Sequence, residues 1–268
     1  MTTLLTGANG FVGLRIQAHM PVIASPSLRG ASLDDVKRIV DQVQPDVIIH
    51  TAAISDIGTC EKNPDASWHA NVQVPVYLAQ AAPSSKLLMF STDQVYSACT
   101  TPGPYREDEI APGSLYARHK LEMEQRVLDI NPSAVMLRAT WMYDMPIFGA
   151  ANRGNFLMNM LLNAASGTPM TFADPQYRGI TYVREVARLT EQAVHLPGGA
   201  YNFGSENDQS MLDTARFLAD ALHLKADIRP GESRNNLWMD CQKLRSQGVS
   251  FSTTTEGLLA CLKDYHLI

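Results

Sequence analysis

Tyr116 and Lys120 stand four residues apart within residues 114–130, a stretch whose spacing predicts one long helix stopped at Asn131-Pro132. That separation puts both side chains on one helix face. A free phenol, with a pKa of about 10, is a sluggish acid–base group at neutral pH, and a neighbouring ammonium stabilises its phenolate. A Tyr-x-x-x-Lys pair is weak on its own, because chance supplies it readily in a chain with nine tyrosines. It gains weight from Ser91-Thr92-Asp93, expected just beyond an apolar strand at residues 86–90. A strand end and an adjacent helix can gather a hydroxyl, a phenol and an ammonium. Thr92 would then hold a carbonyl oxygen, Tyr116 would protonate it, and Lys120 would orient the group that delivers a hydride.

A carrier for that hydride is indicated at the N-terminus. Thr6-Gly7-Ala8-Asn9-Gly10-Phe11-Val12-Gly13 follows a short strand and opens a helix. A pyrophosphate needs backbone N–H groups at a helix N-terminus with no Cβ in the way, and glycines at this turn supply both. The spacing is Gly-x-x-Gly-x-x-Gly rather than Gly-x-Gly-x-x-Gly, and its position after the first strand is what makes it informative. Together with Thr92, Tyr116 and Lys120 it points to a nicotinamide dinucleotide. The second strand ends at Ser25, where an acid that binds the adenosine ribose would normally stand, and Arg29 lies a few residues on. Losing the acid beside an arginine favours NADP(H) and leaves NAD(H) open. An Arg29 that is merely a solvated loop residue fits the sequence equally well.

The elements that must position these residues alternate regularly. Strands are expected near residues 3–5, 22–24, 46–50, 86–90 and 134–137, with helices after Gly10 and over 32–43, 65–81 and 114–130. Strands without polar alternation, each followed by a helix, predict an α/β fold of the Rossmann type, a doubly wound parallel sheet covered on both faces. Residues 1–145 would form this dinucleotide-binding domain. Residues 146–268 would be mainly a smaller substrate-binding lobe woven into it, with a loop at 149–155, helices near 156–165, 182–195, 210–222 and 255–265, extended pieces near Thr171 and Gly179, and a strand at 201–203.

With 268 residues, 45% hydrophobic and 18% charged, the composition is that of an ordinary globular protein. A net charge of −5 with no basic face argues against nucleic acid as partner, and no apolar run approaches the ~20 residues of a membrane span. Met1-Thr2-Thr3-Leu4-Leu5 leads straight into the glycine turn, so no signal peptide is expected. The cysteines Cys60, Cys99, Cys241 and Cys261 are scattered, which fits reduced thiols in a cytoplasm.

Several segments carry a resemblance that extends over most of the chain. They are residues 6–13, Thr51-Ala52-Ala53, Phe90-Ser91-Thr92-Asp93-Gln94-Val95-Tyr96, Pro104-Tyr105-Arg106-Glu107-Asp108-Glu109, residues 115–122 and Leu137-Arg138-Ala139-Thr140-Trp141-Met142-Tyr143. In combination they resemble an extended short-chain dehydrogenase/reductase, most of all the dTDP-4-dehydrorhamnose reductase family. The resemblance implies a catalytic triad of Thr92, Tyr116 and Lys120, and a pyrophosphate turn of Gly7, Asn9, Gly10, Phe11 and Val12. It places Ala52 and Ala53 beneath the adenosine and ribose. Asp93, Gln94, Trp141, Asn155 and Phe156 fall on the substrate side, although Trp141 reads equally well as a core aromatic. The implied activity is reduction of a 4-keto nucleotide sugar. A nucleotide-sugar epimerase or another carbonyl reductase would use the same triad, and a cofactor-binding regulatory subunit like that of methionine adenosyltransferase shares the Pro-Tyr-Arg-Glu stretch.

The chain departs from related patterns in four places. Nucleotide-sugar dehydratases carry Asp-Glu after the threonine, whereas Gln94 cannot act as a base, which argues against dehydration. Some bacterial reductases bridge a homodimer with magnesium through an acid two residues past the third glycine. Arg15 stands there, so no metal is expected and a homodimer is left open. The segment from Ser25 to Ala31 lacks the acid that related enzymes place near the adenine. Residues 144–153 add extra loop beside the substrate strand.

Overall fold

Strands that are apolar on both sides need helices on both sides, and the computed structural model, which describes residues 1–148, 150 and 154–268, supplies them. The first half runs β1 (Thr3–Thr6), α1 (Phe11–His19), β2 (Ile23–Ala24), α2 (Leu33–Val43), β3 (Val47–His50), α3 (Ile57–Lys62), α4 (Pro64–Trp68), α5 (Val74–Ala81), β4 (Lys86–Thr92), α6 (Leu115–Ile130) and β5 (Val135–Ala139). The second half adds β6 (Trp141–Tyr143), α7 (Phe156–Ser166), β7 (Met170–Ala173), β8 (Ile180–Tyr182), α8 (Val183–Ala193), β9 (Gly199–Phe203), α9 (Met211–Ala221), β10 (Ile228–Gly231), α10 (Gln242–Ser246) and α11 (Thr254–Asp264).

Six strands form one parallel sheet in the order β2-β1-β3-β4-β5-β9. The chain reverses its direction of winding between β1 and β3, and ligands of such sheets sit at that switch point, beyond the strands' carboxyl ends. Alternate residues face opposite layers. Leu5, Ile49, Leu88 and Leu137 pack with Ile16 of α1 and with Val183, Val186 and Leu189 of α8. Leu4, Ile48, Met89 and Met136 pack with Val36 and Val40 of α2, Leu78 of α5, and Met123 and Val127 of α6. Although they follow residue 145, β9 and α8 therefore belong to the main sheet and its cover.

The remaining strands pair as β6 with β8 and β7 with β10, both parallel. They lie against α7, α9 and α11 in a separate core that includes Tyr143, Phe156, Leu157, Met160, Tyr182, Leu218 and Leu258. Here the sequence reading missed β6, β10, α3 and α10, all of six residues or fewer and too short for periodicity to register.

The expected helix over 65–81 is interrupted. Pro75 has no N–H to give the Asn71 carbonyl, and the chain adopts a π turn at His69–Gln73, with Val74 N–H bonded to the His69 carbonyl. The strand expected to end at residue 90 continues to Thr92. Ser91 and Thr92 are thus the last residues of β4 rather than the first of a loop. The loop expected at 149–155 and the insertion at 144–153 include residues 149 and 151–153, which lie outside the described residues.

Candidate active site

The glycine turn sits against the switch point because only glycine fits it. Gly7 has φ +73°, and a Cβ there would lie 2.6 Å from the Ala52 backbone nitrogen, so the turn rests directly on the segment that leaves β3. At Gly13 a Cβ would fall 2.2 Å from the Gly7 carbonyl oxygen. Gly10 donates its N–H to the Gly7 carbonyl (2.8 Å) and opens α1, and neither a capping side chain nor an acid occupies the helix's first turn. Asn9 and Gly10 are exposed, Phe11 and Val12 half-buried. The helix thus presents uncapped backbone donors at a surface lined by main chain.

Ala52 is half-buried and Ala53 exposed. The next residue is clamped by Asn71, whose carboxamide accepts from Ile54 N–H (3.0 Å) and donates to the Ile54 carbonyl (2.9 Å). Asn71 is buried in the π turn, and nothing in its sequence context marks it. Arg29 lies exposed on the turn after β2, and its guanidinium makes no ion pair among the described residues.

Thr92 and Tyr116 approach each other at the carboxyl end of β4, and Lys120 lies one turn further along α6. Ser114 caps α6 by accepting from Ala117 N–H, and one stripe of that helix carries Tyr116, Lys120 and Glu124, all buried. Burial pushes the Tyr116 phenol up, Asp93 pushes it the same way, and a hydrogen bond from the Thr92 hydroxyl pulls it back. Thr92 Oγ1 also accepts from Gln94 N–H (3.1 Å), which starts a short 3₁₀ turn at Asp93–Tyr96. Lys120 is 1% exposed and has no carboxylate within salt-bridge distance among the described residues. Burial brings its ammonium down to about 8, against the pull of Glu124. His50, at the end of β3, is also fully buried. Burial and the Lys120 charge hold it neutral, down to about 3, with Nδ1 on Thr6 Oγ1 (2.7 Å) and Nε2 without a partner among the described residues.

Glu124 anchors the base of this stripe. Its carboxylate takes a forked pair from Arg138 of β5 (2.7–3.2 Å) and a short bond from Ser91. Arg138 in turn donates to the Tyr96 hydroxyl (3.0 Å) and to the Glu107 carbonyl (2.7 Å). The Pro104–Glu109 stretch is thereby strapped over the sheet. Glu124 was legible only as the next residue on the Tyr116–Lys120 face.

On the substrate side, Asp93 does not stand free. Arg178 Nη2 donates to its Oδ2 at 2.7 Å, and Gln94 Nε2 and the Thr92 hydroxyl approach Oδ1 at 3.4 Å. Burial raises the Asp93 carboxyl and Arg178 opposes the shift. The Arg178 guanidinium also lies over the Trp141 ring, 5.6 Å from its centroid. Trp141 is 37% exposed and meets Phe156 edge-on, 6.2 Å between centroids. Both line a cavity of about 250 Å³ with Asn159, Asn163, Pro169 and Phe172. Asn155 is committed to the fold: its Oδ1 caps α7 by accepting from Met158 N–H, and its Nδ2 donates to the Asp144 carbonyl (2.8 Å). Arg178 lies 85 residues from Asp93, and sequence reasoning missed it.

Arg15, on the buried side of α1, forms an ion pair with Asp144 at 3.0 Å. Among the described residues no group of three or more His, Cys, Asp or Glu could hold a metal ion. No helix among them is long and apolar enough to cross a membrane.

The sequence is 34% identical to the probable low-salt glycan biosynthesis reductase Agl14 of Haloferax volcanii, over 53% of this chain and 54% of that protein. It is 29% identical to the dTDP-4-dehydrorhamnose reductase of Aggregatibacter actinomycetemcomitans, covering 81% and 78%, and 29% identical to methionine adenosyltransferase 2 subunit beta of Pongo abelii, covering 93% and 83%. The fold superposes on a dTDP-4-dehydrorhamnose reductase from Bacillus anthracis in complex with NADP with a TM-score of 0.87, at 21% identity, over 98% of this chain and all of that one. A family model described as the RmlD substrate binding domain matches residues 1–261, and the chain belongs to that family.

Proposed function

We propose that this protein is an NADPH-dependent reductase of a 4-keto nucleotide sugar, dTDP-4-dehydrorhamnose or a close relative. The observation that carries this reading is the buried trio of Thr92, Tyr116 and Lys120 at the carboxyl edge of the sheet whose switch point holds the glycine turn. The residues fit a dinucleotide: a turn packed so closely on the Thr51–Ala52 and Gly7–Ala8 backbone that Gly7 and Gly13 leave no room for a Cβ, uncapped donors at α1, and a lysine without a carboxylate in salt-bridge distance among the described residues. Gly7, Asn9, Gly10, Phe11 and Val12 would hold the pyrophosphate, Ala52 and Ala53 the adenosine and ribose, and Arg29 a 2′-phosphate.

A bound nicotinamide supplies the hydride that reaches the carbonyl carbon. Because burial keeps the Tyr116 phenol protonated, it stands ready as the acid, and its proton passes from Oη to the carbonyl oxygen. Lys120 keeps its charge at neutral pH and stabilises the phenolate left behind. Thr92 aligns the oxygen. The Asp93–Arg178 ion pair and the neutral Gln94 leave no free base for dehydration, which favours reduction. Residues 1–145 would carry the dinucleotide and residues 146–268 mainly the sugar nucleotide, around Trp141 and Phe156. Four unpaired thiols suit a reducing cytoplasm.

A second reading, a cofactor-binding regulatory subunit, is supported by the likeness to methionine adenosyltransferase 2 subunit beta over 93% of the chain. Screening keto-sugar nucleotides with NADPH and NADH, read at the nicotinamide absorbance, separates the two. The reductase oxidises NADPH in step with one keto-sugar. A regulator binds NADPH and turns over none.

A further inference from the structure

Arg15 and Asp144 lie 129 residues apart and are almost completely buried, with 5% and 1% of their side chains exposed. Each end of this pair reaches a different part of the candidate site. Arg15 uses all three guanidinium nitrogens: Nε donates to Asp144 Oδ2 (3.0 Å), Nη2 to the Met145 carbonyl (2.8 Å) and Nη1 to the Phe11 carbonyl (3.1 Å). Its plane lies over the Phe11 ring, 4.2 Å from the centroid. Phe11 is the first residue of α1, whose N-terminus is the uncapped end of the glycine turn.

Asp144 is a hub on the other side. Its Oδ1 accepts from the Tyr265 hydroxyl (2.8 Å) and from Met145 N–H (2.8 Å), and Arg184 of α8 stands 3.9 Å from Oδ2. Its carbonyl accepts from Asn155 Nδ2, and Asn155 caps α7, the helix that begins with Phe156 and lines the aromatic cavity. A continuous set of hydrogen bonds thus runs from the glycine turn through Phe11, Arg15, Asp144 and Asn155 to the first turn of α7.

We propose that Arg15 and Asp144 are positioning residues that couple the cofactor turn to the substrate side, so that filling the turn stiffens the start of α7. The inference rests on the dinucleotide reading of the glycine turn. Breaking either partner would strip the other buried charge of its nearest ionic partner, with Asp144 keeping only Arg184 at 3.9 Å, and would cut the link while sparing the turn itself.

Hydrogen–deuterium exchange of the full chain with and without NADPH tests this. In the wild type, NADPH is expected to slow exchange at the first turn of α1 and also, by roughly fivefold or more, at the Met158 and Asn159 amides. In R15Q and D144N the protection at α1 stays and the protection at α7 disappears. R15K, whose single ammonium can reach Asp144 but cannot also hold the Phe11 and Met145 carbonyls, keeps part of it and carries the test if the other variants unfold. Y265F, which removes a different bond to the same carboxylate, leaves the α7 response intact. The proposal is overturned if α7 responds equally in R15Q, D144N and R15K. It is also overturned if NADPH protects α1 alone in the wild type. Absence of protection at α1 itself would overturn the dinucleotide reading, a separate failure.

Discussion

The two ends of the candidate site are built by opposite means. The end at the switch point is made of main chain and small residues: Gly7, Gly10, Gly13, Ala52 and Ala53 put almost no side-chain atoms between the backbone and a ligand. The opposite end is made of buried or half-buried ion pairs, Arg178 with Asp93, Arg15 with Asp144 and, beneath the Tyr116–Lys120 stripe, Arg138 with Glu124. Backbone donors ordered by a helix need no partner to hold them, so the first end depends on having nothing in the way. Charged side chains in a low-dielectric interior hold position only while paired, so the second end depends on every partner being present.

That contrast can be broken from either side. The largest stability loss is expected for Arg138→Met, which strands the Glu124 carboxylate at 4% exposure and should cost about 3–5 kcal/mol in urea unfolding. A loss under about 1 kcal/mol would mean the pair is not holding the stripe. Gly13→Ala drives a methyl group against the Gly7 carbonyl and should cost about 1–3 kcal/mol. It should weaken NADPH in titrations by nicotinamide fluorescence and leave binding of a sugar nucleotide unchanged, since it damages only the open end.

His50 sharpens the comparison through pH. Its folded pKa, about 3, lies below the unfolded value of 6.5, so the unfolded chain binds the extra proton first. Stability therefore falls as pH drops below 6.5, by about 1.4 kcal/mol per unit until pH approaches 3. His50→Asn should flatten that slope in urea melts taken between pH 4 and 6.5. The smallest effect belongs to exposed Arg29: Arg29→Ala should reduce the preference for NADPH over NADH by about fivefold, with NADH affinity unchanged.

How far the sequence revealed each end follows from the same contrast. The glycine turn and the Tyr116–Lys120 face are local patterns, set by residues a few positions apart, and the sheet follows from alternating apolar runs and helices. Arg178, the pairing of Arg15 and the forked bond from Arg138 are relations across the fold that no spacing encodes. Asn155 shows the limit from another direction. Its place on the substrate side came with the family resemblance, yet its carboxamide is spent on capping α7 and holding the Asp144 carbonyl. The π turn at His69–Gln73 was missed although Pro75 falls inside the expected helix over 65–81: an interior proline signals a break in the ladder but not that the break takes π form.

The central claim is that the buried stripe of α6 donates a proton during hydride transfer, and Tyr116→Phe tests it most directly. Removing one hydroxyl from a buried ring should leave NADPH affinity within about threefold of wild type and lower kcat for the keto-sugar nucleotide by about 10²- to 10⁴-fold, measured as NADPH oxidation. Undiminished turnover in Tyr116→Phe, or a wild-type protein that binds NADPH and oxidises it with no keto-sugar nucleotide, would contradict the account.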